Sequence, residues 1–390
     1  LTASAHLDPS CTYTAGFEIT ASHVTLDCAG ATVRSASGAA GVGILIHAPA
    51  DADLTDVTVR KCTVEGFLNS MRVTRDGFRD LAAGNEFDHG TSAITLAANR
   101  VSESRGVGLY VDGYVAGVSI LDNVVQGAGS SGIYLEGGSR RNLVQGNQIL
   151  DNGFRENGPG GQRFAFGGLD LWFWGVGREG ISVDGSSENR IADNLFRGNS
   201  AGGVFLYKNC GEYPSSGRYF ERRTPAADNT IEGNRFEGGR NGVWVGSRMS
   251  ENTLPMDCTD PAYVQTGFVR IVLDHAPRNV IRANTFVEVT YGVRVEDDDT
   301  TVADNAFEGS AADRWAVIVG TTERTTVLGR PVTGTVLTAN RSTIVDNPDP
   351  YRWVFGHAAT NDTDNTSVAG PTALCPGVPV PRQPFIFVIA

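Results

Sequence analysis

The sequence predicts an all-β solenoid: short strands in three parallel sheets, with long loop insertions and a C-terminal segment outside the repeat. Three observations predict it. The first is a recurring pentapeptide: Gly43-Ile-Leu-Ile-His47, Gly108-Leu-Tyr-Val-Asp112, Gly132-Ile-Tyr-Leu-Glu136, Gly180-Ile-Ser-Val-Asp184, Gly203-Val-Phe-Leu-Tyr207, Gly242-Val-Trp-Val-Gly246 and Gly292-Val-Arg-Val-Glu296. Its second and fourth residues are aliphatic. Its third and fifth are mostly aromatic, acidic or polar, so the strand has one dry and one wet face. The second observation is an Asn-x-aliphatic-x-x-Asn motif at Asn142–Asn147, Asn189–Asn194, Asn229–Asn234 and Asn279–Asn284, with degenerate copies around Asn99, Asn123 and Asn305. The third is the period: Asn99, Asn123 and Asn147 are 24 residues apart, and Asn284 and Asn305 are 21 apart. A unit of that length cannot bury its own apolar face and does so by stacking on its neighbours.

Taken in order, residues 1–40 read as a capped start, with an alternating segment from His23 to Val33. The ladder strands follow. Asparagine at a fixed corner tolerates left-handed backbone angles, and its amide can bond to the next coil. Helices are excluded by the glycine content (48 residues) and by the lack of three- and four-residue apolar spacing. A leucine-rich repeat would show a fixed leucine pattern, which is missing. Three segments break the period: Phe154 to Arg178, with Phe164, Phe166, Trp172, Phe173 and Trp174; Asn209 to Ala227; and Met249 to Arg278. The first precedes a ladder strand and reads as a loop packed over the sheet, although Gly168 to Trp172 mimics a ladder strand. The other two follow ladder strands at one corner, so they are expected to wall the ladder face. The repeat fades from about Ala311, and Trp353, Phe355 and the tail are expected to cap the last coil. One domain is expected, with the solenoid over 1–345 and its capping segment over 346–390.

The pattern resembles the right-handed parallel β-helix of the pectin-lyase-like superfamily, over roughly residues 20–345. That resemblance implies the fold and a carbohydrate-active protein, not a particular reaction. Polygalacturonase-type segments are absent except for Asp297-Asp298-Asp299, and the Asp-Pro-His-Asp segment of mannuronan C5-epimerases is absent.

The formal net charge of −12 argues against nucleic acid and anionic membranes, which need a basic stripe. It leaves open an acidic polysaccharide met by a local cation cluster. No apolar run approaches the roughly 18 residues that span a bilayer. A start at Leu1 without Met reads as the mature part of an exported, extracellular protein. The six cysteines form no CxxC pair, which argues against zinc, and their even number fits disulfides. Cys11 with Cys28, and Cys210 with Cys258, are the candidate bridges.

Stacked coils lie about 4.8 Å apart, so Asp112, Glu136 and Asp184 should be successive neighbours. Stacked carboxylates repel, which raises the pKa of one or demands a cation between them. Lys208 follows the ladder position Tyr207, and Arg248 stands one ladder strand later. On successive coils they resemble the base-and-electrophile pair of β-helix polysaccharide lyases. In that reading Lys208 is the base and Arg248 the carboxylate-binding group of a β-elimination at a uronic acid. Asp184, Glu136 and Glu296 would then hold a cation, with Ca²⁺ the candidate, or assist protonation; no organic cofactor is expected. The alternative enzyme is a glycoside hydrolase or trans-glycosylase with a carboxylate pair from Asp170, Asp184 and Glu296. A third reading is a non-catalytic carbohydrate-binding or adhesion solenoid. Tyr110, Tyr134, Phe205 and Trp244 share the outward third position, where flat rings suit pyranose faces. Trp172, Tyr207, Tyr213 and Arg294 complete the expected substrate-binding set. His47, His89 and His275 are candidate acid–base groups, although a lone histidine near a turn is more often structural.

Overall fold

The computed structural model describes residues 1–159 apart from 37 and 39, then 175–209, 211, 215, 217, 219–248, 275–355 and 360–367, with side chains excepted at 327, 360 and 361. It also gives the backbone of strands at 162–166, 169–173, 263–266, 269–272 and 388–389.

The chain winds as a right-handed parallel β-helix with three parallel sheets of 12, 12 and 11 strands. The 11-stranded sheet carries the pentapeptides and is the ladder sheet. Its strands are β1 (Phe17–Ile19), β2 (Val42–Ala48), β3 (Asn69–Arg75), β4 (Leu109–Val111), β5 (Ile133–Leu135), β6 (Glu179–Asp184), β7 (Gly202–Tyr207), β8 (Asn241–Val245), β9 (Tyr291–Val295), β10 (Trp315–Val319) and β11 (Tyr351–Trp353). Ile133, Leu135, Val204, Leu206, Val243 and Val245 point into the stack and are fully buried. The period of two therefore assigns the faces as the sequence predicts.

The glycine that opens each pentapeptide has a packing cause. Phe196, Phe236, Phe286 and Phe307 of a neighbouring sheet stack face to face, with ring centroids 4.6, 4.7 and 4.8 Å apart. A Cβ on Gly242 would lie 2.4 Å from the Phe286 ring, and one on Gly292 2.4 Å from Phe307. Only glycine lets the ladder strand pass that column.

The asparagines form a second internal column. From Asn99 through Asn123, Asn147, Asn194, Asn234, Asn284, Asn305 and Asn340 to Asn365, each Nδ2 donates to the Oδ1 of the next, at 2.8–3.0 Å. A parallel column runs through Asn142, Asn189, Asn229 and Asn279. The left-handed backbone falls one residue earlier than the sequence suggests, as at Asp122, Asp193 and Asp228, with φ of 52–58°. The asparagine itself is needed to face inward and bond to the next coil.

Three expectations change. Residues 1–34 already supply the first coil to all three sheets. The coils also continue past Ala311: 315–319, 335–338 and 341–344 join the three sheets, and 351–353, 360–363 and 366–367 follow them. A seven-residue helix α1 (Thr322–Leu328), capped by Thr321, fills one connection. The Phe154–Arg178 segment holds an antiparallel pair, 162–166 with 169–173, rather than a plain loop, and the Met249–Arg278 segment holds another, 263–266 with 269–272.

The cysteines pair differently as well. Cys28 is bonded to Cys62, 34 residues on, and Cys11 is exposed and free. Asp27 and Arg60 are register partners on adjacent coils, so the parallel stack brings Cys28 to Cys62, whereas Cys11 precedes Thr12, the register partner of Thr32. Cys210, Cys258 and Cys375 lie outside the described residues. Closing a 34-residue loop stabilises by about 4 kcal/mol on the chain-entropy model. Cys62→Ser is expected to lower the urea midpoint under non-reducing conditions, and Cys11→Ser to leave it unchanged.

Candidate functional site

The ladder sheet presents its third positions as a continuous row. Register runs Arg72, Tyr110, Tyr134, Ser182, Phe205, Trp244, Arg294, Ile318 and Arg352 across successive coils. The aromatic positions hold as predicted, but the rings do not lie flat in line. Tyr110 meets Tyr134 at 75° and Phe205 meets Trp244 at 71°. Phe205 is buried, whereas Tyr134 and Trp244 are half-exposed.

The fifth positions Asp112, Glu136 and Asp184 end the neighbouring strands β4, β5 and β6, and all three are buried. Arginine supplies the cation they require. Arg72 binds Asp112 at 2.7 Å through one terminal nitrogen and at 2.9 Å through Nε. Arg222, from the second insertion, reaches Glu136 at 3.3 Å and Asp184 at 3.8 Å. Tyr134 donates to Asp184 at 2.7 Å, as does the Asn209 amide N–H at 2.8 Å. Burial and the neighbouring Glu136 raise the Asp112 carboxyl to about 6, outweighing Arg72. Its native pKa thus exceeds its ordinary value of 3.8. The stability it contributes is full below about pH 4 and lost as pH rises through about 6. Asp112→Asn is therefore expected to gain stability over the wild type as pH rises from 4 to 7, by on the order of 3 kcal/mol. Urea midpoints of both proteins across that range test it; a constant difference would refute it.

A second cluster surrounds Tyr207, the neighbour of Asp184 in register. Arg178 donates to the Tyr207 hydroxyl at 2.8 Å, and that hydroxyl donates to Glu179 at 3.0 Å. Ser182 also donates to Glu179. Burial pushes the Tyr207 phenol well above its ordinary value, so it stays protonated. Arg248 lies over the Tyr207 ring, 4.8 Å from its centroid. Lys208 follows on the same strand end and is 9% exposed. The base-and-electrophile candidates thus do sit at the ends of adjacent strands, β7 and β8.

The third cluster is on β8 and β9. Arg294 lies 3.5 Å above the Trp244 ring centroid and bonds to Glu296 at 2.6 Å. Burial raises the Glu296 carboxyl while Arg294 opposes it. Asp170 and Trp172 lie on the 169–173 strand, with side chains outside the described residues. Tyr213 also lies outside them, as does most of the third insertion. The described end of the second insertion leads back along the stack: Phe220 packs on Phe78 and Tyr114, and Arg223 bonds to Glu86.

Sequence reasoning missed Arg72, Arg178, Glu179 and Arg222. The strand bearing Arg72 was findable, because Ser70-Met-Arg-Val-Thr74 alternates like the pentapeptides with serine in place of glycine. Arg222 is in an insertion without period and gives no such signal. The Asp297-Asp298-Asp299 run is structural: Asp297 and Asp298 bind Arg324 of α1 at 3.2 Å, and Asp298 binds Arg330 at 2.7 Å. His47 sits between Glu18 at 2.6 Å and Asp76 at 3.1 Å, and His89 pairs with Asp53 at 3.6 Å.

A family model described as "Right handed beta helix region" matches residues 13–254, and one described as "Periplasmic copper-binding protein (NosD)" matches residues 169–347. No curated protein matches the chain. Among solved structures, the Dettilon tailspike protein is 13% identical, covering 93% of this chain and 58% of its own, with a TM-score of 0.55. The catalytic domain of a GH87 α-1,3-glucanase with tetrasaccharides is 12% identical, covering 95% and 63%, with a TM-score of 0.49. An alginate lyase from Paenibacillus sp. str. FPU-7 is 16% identical, covering 87% and 96%, with a TM-score of 0.44. The chain spans 58–63% of the length of the first two. At these identities the likeness is one of fold.

Copper does not fit the described residues. No three His, Cys, Asp or Glu side chains among them are grouped to hold a metal ion. His47 is flanked by two carboxylates, but on opposite ring nitrogens, so the three cannot converge on one ion. No helix among the described residues is long and apolar enough to cross a membrane.

Proposed function

We propose that this chain, which belongs to the right-handed β-helix family, is an exported protein acting on a polysaccharide, and that it cleaves at a uronic acid by β-elimination. One observation carries the reading. In a chain of net charge −12 with two lysines, Lys208 ends β7 while Arg248 follows β8 on the next coil, over the Tyr207 ring.

In this reaction Arg248 pairs with the substrate carboxylate and so acidifies the proton at C5. The neutral amine of Lys208 takes that proton. The electron pair left at C5 forms the C4–C5 double bond, the C4–O4 bond breaks, and the departing oxygen takes up a proton. Tyr207, fixed between Arg178 and Glu179, holds the guanidinium platform in place. Charge neutralisation falls to Arg248 because arginines already engage Glu136, Asp184 and Glu296. A chelator is expected to leave cleavage intact, and its loss would restore the Ca²⁺ alternative.

Of the hydrolase pairs drawn from Asp170, Asp184 and Glu296, the Asp184–Glu296 pair is weaker on geometry. Asp184 and Glu296 end strands three steps apart in the sheet order, or about 14 Å at the usual strand spacing. That exceeds the roughly 5–9.5 Å that a carboxylate pair needs. Export is supported by the Cys28–Cys62 disulfide.

The test is a polysaccharide panel read for far-ultraviolet absorbance and for new reducing ends. The proposal expects both from a uronate polymer. Reducing ends alone would mark a hydrolase, and binding without cleavage an adhesion solenoid.

A further inference from the structure

We propose that Arg240 and Arg294, with Tyr291, Trp244, Trp315 and Arg352 around them, form a subsite for a carboxylate-bearing sugar unit on coils β8 to β11. The proposal rests on the polysaccharide reading above and assigns that polymer a second anchoring point.

Register builds the patch. Asn241, Tyr291 and Trp315 are successive partners at one edge of the ladder sheet. Arg240 precedes Asn241, and its carbonyl accepts the Tyr291 N–H at 2.8 Å. Arg294 lies 3.5 Å above the Trp244 centroid and 5.6 Å from that of Tyr291, and Glu296 holds it there at 2.6 Å. Two coils on, Arg352 lies 5.3 Å over Trp315. Arg240, Trp244, Tyr291, Arg294, Trp315 and Arg352 are half-exposed, whereas Asn241 and Glu296 are buried.

The charge balance points to an anion. Arg240 has no ion pair or side-chain hydrogen bond among the described residues, and Arg294 is its main charged neighbour, with a smaller opposing influence from Tyr291. Burial and that neighbour hold its guanidinium below the ordinary arginine range. Elsewhere in the stack several arginines bridge to carboxylates on neighbouring coils, as in Arg190 and Arg282 on Glu232 at 2.5 and 2.6 Å, or Arg278 on Asp228 at 2.7 Å. Of the three guanidiniums here, Arg294 alone has an ion pair among the described residues, with Glu296. Two half-desolvated like charges repel, and a ligand carboxylate between them relieves that repulsion while forming charge-assisted bonds. Tyr291 and Trp315 add ring surface for the apolar face of a pyranose.

Binding can be measured without cleavage on the Lys208→Ala protein. Hexagalacturonate is titrated against it by calorimetry, with maltohexaose as the neutral probe, at low and moderate salt. The subsite expects the uronate to bind at least about tenfold more tightly than the neutral sugar, and more weakly in salt. Adding Arg240→Gln should weaken uronate binding about tenfold, or about 1.4 kcal/mol, with Arg240→Lys in between and the circular-dichroism spectrum unchanged. Uronate affinity within twofold after Arg240→Gln, or equal binding of both sugars, would overturn the subsite. Uronate binding of this pattern in a protein that cleaves no polymer would sink the lyase reading and leave the subsite standing.

Discussion

Lys208→Ala is expected to lower turnover of the cleaved uronate polymer by about 10²–10⁴-fold, with KM changed little. That is the usual loss when a positioned base is removed. The prediction is specific because the nearest alternative groups on β6 and β7 are held by partners of their own. Tyr207 is fixed by Arg178 and Glu179, and Asp184 by Tyr134 and Asn209. Neither is placed to take over as base. Arg248→Ala should raise KM as well as lower kcat, since it would lose ground-state binding to the carboxylate along with its electrostatic role. Full turnover by Lys208→Ala would remove the base assignment, whatever became of Arg248.

Arg222→Met is expected to be among the most destabilising single changes in the chain, by about 3–5 kcal/mol. It strips the guanidinium from Glu136 and Asp184, whose side chains are 6% and 0% exposed. Removing one partner of a buried ion pair leaves an uncompensated charge, which costs far more than the pair contributes. Arg222→Met combined with Glu136→Gln should therefore recover part of the loss, and the non-additivity measures the coupling. Urea unfolding followed by tryptophan fluorescence reads both. A loss below about 1 kcal/mol, the range of an exposed pair, would show that water reaches the network.

The parts of the fold legible in the sequence are those that repeat. Val243 and Val245 had to be inward because Trp244 was outward, and the structure seats them so. Asparagine spacing announced the coil because each amide bonds to the amide one turn on. Where a coil kept its geometry but changed its residues, the pattern went silent. Trp315–Val319 and Tyr351–Trp353 take ladder positions without the glycine opening, and Ser70 stands in for it on β3. Partnerships between a loop and the sheet were illegible for a different reason. Arg222 meets Glu136, 86 residues away, because an insertion doubles back along the stack, and no local period encodes that return. The pairing of Cys28 with Cys62 is intermediate: it follows at once from strand register, but the register had first to count a coil longer than 24 residues.

The asparagine column has an electrical consequence. Every amide in it points the same way, with its oxygen toward the N-terminal coil and its NH₂ toward the C-terminal one. Each amide carries a dipole of about 3.5 D. Aligned head to tail from Asn99 to Asn365, they add along the solenoid axis instead of cancelling. The rod is therefore polarised, negative toward its first coils and positive toward its last. Reversing one amide would set oxygen against oxygen on one side and NH₂ against NH₂ on the other, so the column also locks its own direction.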